Sequence, residues 1–282
     1  MKNVVITGAG GYVGTHVVSA TADLGYRPVA VARCANGRSL DVRATVVEAD
    51  ILDPAFDLST VVDPSDAAAV IHLAWQDGFV HNAPSHMTNL SSHFRFLTGL
   101  ADAGYQRIAA LGSMHEVGYW EGTIDADTPT DPVTLYGIAK DALRRSATLS
   151  LADKVEFLWL RAFYILGDDR RNRSIFAKLL EAADRGEKTF PFTTGRTLYD
   201  FIDVEELATQ IAVAATTPGV TGIVNTCTGR PESLASRVER FIADNDLSIA
   251  LKYGAFPDRP YDSPGLWGDA SRITELMSQT RG

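Results

Sequence analysis

Cysteine is scarce: Cys34 and Cys227 are the only two in 282 residues. They form no Cys-x-x-Cys pair, which argues against a disulfide framework or a zinc knuckle. The six histidines show no His-x-x-x-His spacing, so no metal site is expected. No apolar run approaches the roughly 20 residues of a membrane span. Basic residues are outnumbered, 26 Lys and Arg against 35 Asp and Glu, for a net charge of −9. That balance argues against a nucleic-acid surface, which needs a clustered basic patch. It leaves room for an anionic substrate, because a few local arginines suffice to hold a phosphate. Met1-Lys2-Asn3 runs directly into a strand with no signal-peptide core, so the cytoplasm is the expected compartment. What remains is an ordinary globular composition, 45% hydrophobic and 22% charged. The length suits one large α/β unit or a domain carrying a smaller lobe.

The first half alternates strand-like and helix-like segments. Val4–Ile6, Pro28–Ala32, Thr45–Glu48, Ala69–Leu73, Ile108–Leu111 and Phe157–Leu160 read as strands. Tyr12–Leu24, His86–Asp102 and Leu135–Leu151 carry helical periodicity. Such alternation means βαβ crossovers and a doubly wound, Rossmann-type parallel sheet. After Gly167 the pattern loosens, with helices expected at Ser174–Arg185, Val204–Ala215 and Glu232–Asp244. Tyr253–Gly268, rich in Pro and Gly, reads as an ordered loop. The expected division is a sheet domain over 1–167 and a mainly C-terminal α/β substrate lobe over 168–282.

Between the first strand and helix lies Thr7-Gly8-Ala9-Gly10-Gly11-Tyr12-Val13-Gly14. Gly8, Gly11 and Gly14 tighten the turn, admit a pyrophosphate to the backbone and bring helix close to strand. The helix N-terminus, opening at Tyr12 and Val13, offers N–H donors to the anion. The bland alternative is a plain glycine turn, and its place between strand and helix weighs against that. At the end of the second strand, Ala32-Arg33 supplies no acid for a ribose 2′-OH. Arg33, with Arg38 assisting, suits a 2′-phosphate, so NADP(H) is preferred and NAD(H) stays open; a solvated loop cation is the other reading. Asp50-Ile51 is placed to meet the adenine, or else caps a turn before Pro54.

Tyr136 and Lys140 lie four apart on a helix and so share a face. They open the helix that follows the strand ending Leu111-Gly112-Ser113, whose carboxyl end borders the crevice of a doubly wound sheet. A phenol titrates at about pH 10, too high for ready proton exchange at neutral pH. A neighbouring ammonium lowers that value. Ser113 then orients a carbonyl and stabilises the developing alkoxide; a strand-end turn serine is the alternative.

The ordered set of Gly8–Gly14, Asp50, His72-Leu73-Ala74, Ser113, Tyr136-x-x-x-Lys140, Arg161, Asp200-Phe201-Ile202 and Arg259-Pro260 resembles the extended short-chain dehydrogenase/reductase family of sugar-nucleotide epimerases, dehydratases and reductases. The resemblance runs over nearly the whole chain. It implies that Tyr136 is the proton donor, that Lys140 tunes it and holds the nicotinamide ribose, and that Leu73 and Ala74 line the cofactor. It also implies a nucleotide-sugar substrate and a homodimer formed through the helices at 86–102 and 135–151.

Dehydratases of the family carry Thr-Asp-Glu where this chain has Ser113-Met114-His115, and Glu116 lies one place too far along. A thioether does no acid work, so dehydration is excluded. Two reactions stand: reduction of a keto-sugar, and 4-epimerisation with retained NAD. The segment from Gly112 to Gly122 resembles the reductases of dTDP-4-keto-6-deoxyhexoses, which favours reduction. A non-catalytic cofactor sensor typically lacks the Tyr and Lys kept here.

Trp75 walls the sugar pocket or caps the core, and His115 contacts the sugar or packs as a satisfied histidine. The resemblance makes Arg259 a phosphate ligand and Arg196 a second one, since guanidinium forks suit pyrophosphate oxygens. Phe192 is a candidate contact of the nucleotide base. One departure is Tyr164, where the family commonly has an Asn that touches the substrate.

Overall fold

The computed structural model describes residues 1–33, 40–167, 174–257 and 263–280. The first half runs β1 (Asn3–Thr7), α1 (Tyr12–Asp23), β2 (Arg27–Ala32), β3 (Thr45–Glu48) and β4 (Ala67–His72). Then come α2 (Ser85–Thr88), α3 (Leu90–Asp102), β5 (Arg107–Ser113), β6 (Gly122–Ile124), α4 (Leu135–Leu151), β7 (Glu156–Ala162) and β8 (Tyr164–Leu166). The second half adds α5 (Ile175–Asp184), β9 (Thr189–Pro191), β10 (Leu198–Asp203), α6 (Val204–Thr216) and β11 (Gly222–Thr226). It closes with β12 (Pro231–Ser233), α7 (Leu234–Asp244), β13 (Ala250–Lys252), β14 (Gly265–Gly268) and α8 (Ser271–Gln279).

Seven strands pair in the order β11-β7-β5-β4-β1-β2-β3, every pair parallel. The central strands are mostly apolar and buried because helices cover both faces, with partly exposed residues such as Asn3, Arg107 and Glu156 at their starts. Val4, Ile6, Val17 and Val18 pack with Leu207 and Ile211 of α6 on one face. Val5, Val70, Ile108 and Trp159 pack with Leu97 and Leu143 of α3 and α4 on the other. Strand order reverses between β1 and β4, and that reversal opens a crevice at the strands' carboxyl ends.

The chain does not divide cleanly at 167. α6, β11 and α8 return to the large sheet, and Ile273 of α8 shares the core of Val4 and Ile6. The remaining second-half segments build a smaller lobe around Phe176, Leu179, Val238 and Ile249. Two expectations are corrected. The helix expected at 86–102 breaks at Asn89 into α2 and α3. Gly265–Gly268, taken as loop, is a strand paired with β10 and β6. Glycine carries no strand signal of its own, so only tertiary pairing reveals it.

Buried Asp200 staples this lobe together. Its carboxylate accepts from Thr228 N (2.9 Å), Thr228 Oγ1 (2.6 Å), Gly229 N (2.9 Å) and Gly268 N (3.1 Å). Hydrogen bonds to a charged group contribute about 1.5–3 kcal/mol each, so one side chain ties β10 to the turn after β11 and to β14.

Candidate active site

The glycine turn comes first. Gly8 has φ +70°, and a Cβ there would lie 2.6 Å from Ala74 N, so only glycine lets β1 pass this close to the end of β4. α1 starts at Tyr12 with Gly11 before it and receives no side-chain cap. Its first-turn N–H groups are therefore left for an anion. Val13 packs against the sheet core and Gly14 is buried. A cleft of about 580 Å³ runs from Gly8 and Gly11 past Arg33, Asp50 and Ile51 to Leu73, Ala74 and Trp75. Asp50 accepts from Leu52 N–H (3.0 Å), which shapes the turn at that end of the cleft. This uncapped, glycine-lined cleft fits a dinucleotide. Arg33 is exposed at its mouth; Arg38 lies outside the described residues.

The second part is the start of α4. Thr134 Oγ1 accepts from Gly137 N–H (3.1 Å), Asn82 Oδ1 from Leu135 N–H (3.2 Å), and His81 O from Tyr136 N–H (2.8 Å). The loop before α2 thus satisfies the orphan donors of the helix start and fixes Tyr136. The Ser113 side chain is close enough to Tyr136 to favour its phenolate. Ser113 Oγ accepts from His115 N–H (3.3 Å), leaving the hydroxyl hydrogen free to donate.

One turn further, Lys140 Nζ donates to Leu111 O (2.6 Å) and stands 3.9 Å from the centroid of the Trp75 ring. A cation over an indole gains about 0.5–2 kcal/mol. Burial pushes the Lys140 ammonium well below the usual lysine range, and Glu116 partly opposes the shift. Tyr136 departs from the tuning expected of Lys140: burial pushes it up to about 12, against the lowering effect of the Ser113 side chain. Desolvation of the phenolate outweighs the protein's own neighbours, and the Lys140 ammonium is held by Leu111 O instead.

Five of the six histidines gather around this point. His81 stacks on Tyr136 at 5.6 Å and 13°, and His115 lies 4.4 Å from His81 between ring centroids. Trp75 stacks on His93 at 4.5 Å and donates from Nε1 to His86 Nδ1 (3.0 Å). That bond requires His86 Nδ1 to be bare, so Nε2 carries the hydrogen and donates to Val80 O (2.9 Å). His72 links Thr7 Oγ1 (2.9 Å) to His93 Nδ1 (3.0 Å). Burial lowers His93 and His115 to about 3, with Lys140 adding to the first and His81 to the second. Both are neutral rings at physiological pH. Among the described residues no group of His, Cys, Asp and Glu is arranged to hold a metal.

Of the remaining candidates, Trp75 lies in the cleft wall and His115 beside Tyr136. Tyr164 approaches His115 at 6.4 Å and Tyr199 at 4.2 Å, which makes an aromatic far wall. Phe192 is corrected: it is 2% exposed, in the core of the smaller lobe, where α5 and α7 close over it, so its ring is not presented to a nucleotide. Arg196 is exposed on the turn leading into β10. Arg259 lies outside the described residues. Sequence reasoning missed His81, His86, His93 and Asn82. They come from a loop and two helices, α2 and α3, whose approach to Tyr136 leaves no spacing signal.

This fold and its cleft define a dinucleotide-dependent enzyme. Residues 4–227 match the NAD dependent epimerase/dehydratase family, and the chain belongs to it. It is 42% identical over 270 residues to a dTDP-6-deoxy-L-talose 4-dehydrogenase (NAD(+)) of Aggregatibacter actinomycetemcomitans, covering 94% of this chain and 99% of that one. A dTDP-6-deoxy-L-talose 4-dehydrogenase (NAD(P)(+)) of Kitasatospora kifunensis is 24% identical, covering 90% of this chain and 83% of that one. Among solved structures, MoeE5 in complex with UDP-glucuronic acid and NAD superposes with a TM-score of 0.79 at 22% identity, covering 98% and 92%.

Proposed function

We propose that this enzyme is an NAD(P)H-dependent reductase of a nucleotide-linked 4-keto-6-deoxyhexose, running reversibly as a 4-dehydrogenase. The observation that carries the reading is the convergence of Tyr136, Ser113 and Lys140 beside Trp75, which lines the glycine-rich cleft. The 42% relative, named for the same redox step on a dTDP-6-deoxysugar, supports it. The dinucleotide, when bound, supplies the hydride to C4. Tyr136 Oη delivers the balancing proton to the carbonyl oxygen, so ketone becomes alcohol. Ser113 Oγ donates to the same oxygen and holds it in line. Lys140 holds the ribose and, once its ammonium turns from Leu111 O, favours the phenolate left on Tyr136. Met114 and His115 supply no carboxylate for dehydration, and the neutral His81, His115 and Tyr164 rings make an uncharged wall that suits a sugar carrying a methyl group.

For the cofactor, Arg33 at the cleft mouth supports NADP(H), whereas the NAD(+) in the name of the 42% relative favours NAD(H). The same Ser-Tyr-Lys set would also serve a 4-epimerase that keeps its NAD. The substrate would reach the smaller lobe through Arg196 and Arg259. We also place the protein in the cytoplasm as a homodimer. The exposed Leu149 on α4 and Met87 on α2 support a dimer through that face; light scattering showing a monomeric mass would remove it.

The purified protein is to be incubated with a panel of keto- and hydroxy-sugar nucleotides and either reduced cofactor. Stoichiometric cofactor oxidation with a 4-keto-6-deoxyhexose is the predicted outcome. Isomerisation without added cofactor would establish the epimerase instead.

A further inference from the structure

Glu116 is fully buried three residues beyond Ser113, in the short 3₁₀ turn that ends β5. Its Oε1 accepts from Ser113 N–H (2.6 Å) while Ser113 Oγ accepts from His115 N–H, a reciprocal cap that fixes the serine's turn. Trp159 Nε1 of β7 donates to both carboxyl oxygens, at 2.9 and 3.0 Å. Arg144 Nε of α4 lies 3.6 Å and Arg161 Nε of β7 3.7 Å from Oε2. Every hydrogen-bonding group that meets this carboxyl is a donor. Burial pushes this carboxyl's titration up, opposed by Arg161, the Ser113 N–H, Trp159 and Arg144; a proton on it would find no acceptor among those groups, which favours the carboxylate.

The surroundings are built for that charge. Gly112 is required beside it, because a Cβ there would lie 2.0 Å from Trp159 Nε1 and 2.6 Å from Glu116 Oε1. Arg144 continues to Asp141 (2.5 Å), the residue after Lys140, and Arg161 Nη1 donates to Asp125 O (2.8 Å). A single buried chain of charges thus joins the turn presenting Ser113 to the helix presenting Tyr136 and Lys140. Such a network is costly to bury, and packing alone would be served as well by an apolar side chain.

We propose that Glu116 is a positioning residue of the redox site, fixing Ser113 through its backbone and setting the local field at Tyr136 and Lys140 through its charge. The inference rests on the reading of Ser113, Tyr136 and Lys140 as the reacting groups. Glu116 itself touches no substrate. The charged groups facing it are Arg161 from β7 and Arg144 from α4, with Lys140 and Asp141 beyond on α4. Its negative charge favours the ammonium of Lys140 and disfavours the phenolate of Tyr136. Removing it therefore moves both titrations to lower pH.

The test is Glu116→Gln, which keeps shape and an acceptor while deleting the charge. We expect kcat to fall by about 10-fold or more, with KM and the cofactor Kd changed by less than about 3-fold. The pH profile of kcat shifts to lower pH, and Glu116→Asp restores the wild-type profile. A second readout needs no turnover. Competitive trace acylation of Lys140 across pH, read by mass spectrometry, gives a lower titration midpoint in the variant. If Glu116→Gln fails to fold, Trp159→Phe removes one donor to the carboxylate and is read the same way: the carboxyl is more readily protonated, and the profile shifts in the same direction by less. An unchanged profile and Lys140 midpoint in the folded variant overturn the inference. An inert wild type sinks the proposed reaction alone, and the Lys140 titration still decides the role of Glu116.

Discussion

The two halves of the site are built in different ways. The dinucleotide cleft is backbone: an uncapped helix start, a glycine at positive φ and a chain passing within van der Waals range of β4. The chamber around Tyr136 is side chains, with His81, His86, His93, His115, Trp75 and Tyr164 brought in from separate elements. A backbone cradle accepts any ligand with a pyrophosphate, whereas a wall of rings selects by shape and polarity. On the proposed reading the first would set cofactor use and the second the choice of sugar, so substitutions in the two regions should fail differently.

Tyr136→Phe carries the largest expected effect. Loss of the proton donor should lower kcat by about 10²–10⁴-fold while leaving the cofactor Kd nearly unchanged, which stopped-flow turnover and fluorescence titration would measure. Gly8→Ala should do the reverse. A side chain at φ +70°, 2.6 Å from Ala74 N, forces the turn open, and dinucleotide affinity should drop by about 10-fold or more. If Gly8→Ala binds cofactor as tightly as wild type, the backbone cradle is not where the pyrophosphate sits.

Arg33→Ala sharpens the comparison at the cleft mouth. NADPH binding should weaken more than NADH binding, by several-fold, measured as the ratio of the two Kd values. Equal losses would show that Arg33 does not read the 2′-phosphate.

The smallest effect is on stability. His93 and His115 are held neutral, lowered to about 3 by burial, whereas unfolded histidine titrates near 6.5. Between those values the unfolded chain binds more protons, so stability is intact above pH 6.5 and declines as pH falls toward 3. Thermal melts from pH 7 to pH 4 should show Tm falling, and His115→Gln should flatten part of that slope. A Tm independent of pH over this range would mean that these rings titrate in the folded protein as they do in the unfolded chain.

The fold was legible wherever the signal is local. Apolar runs flanked by helical periodicity placed β1 to β5 and β7 of the large sheet, and the glycines placed the turn. Ser113, Tyr136 and Lys140 could be grouped because a strand end and the following helix must meet at the crevice. Elements defined by distant pairing were not legible: β11 adds to the sheet edge from residue 222, and β14 is half glycine. Phe192 shows the limit at the level of one side chain. An aromatic after Pro191 reads alike whether it faces a ligand or a core, and only the packing of α5 and α7 over it decides. Arg161 and Asp200 carried the family resemblance, and the structure employs both as buried hydrogen-bonding staples.

The measurement that meets the central claim most directly is isotopic. A dTDP-4-keto-6-deoxyhexose is reduced with cofactor deuterated at the transferable position, and the product is read by nuclear magnetic resonance. The account predicts one deuterium at C4 of the sugar for each cofactor oxidised, abolished in Tyr136→Phe. Cofactor left unoxidised, or product without deuterium at C4, would contradict it.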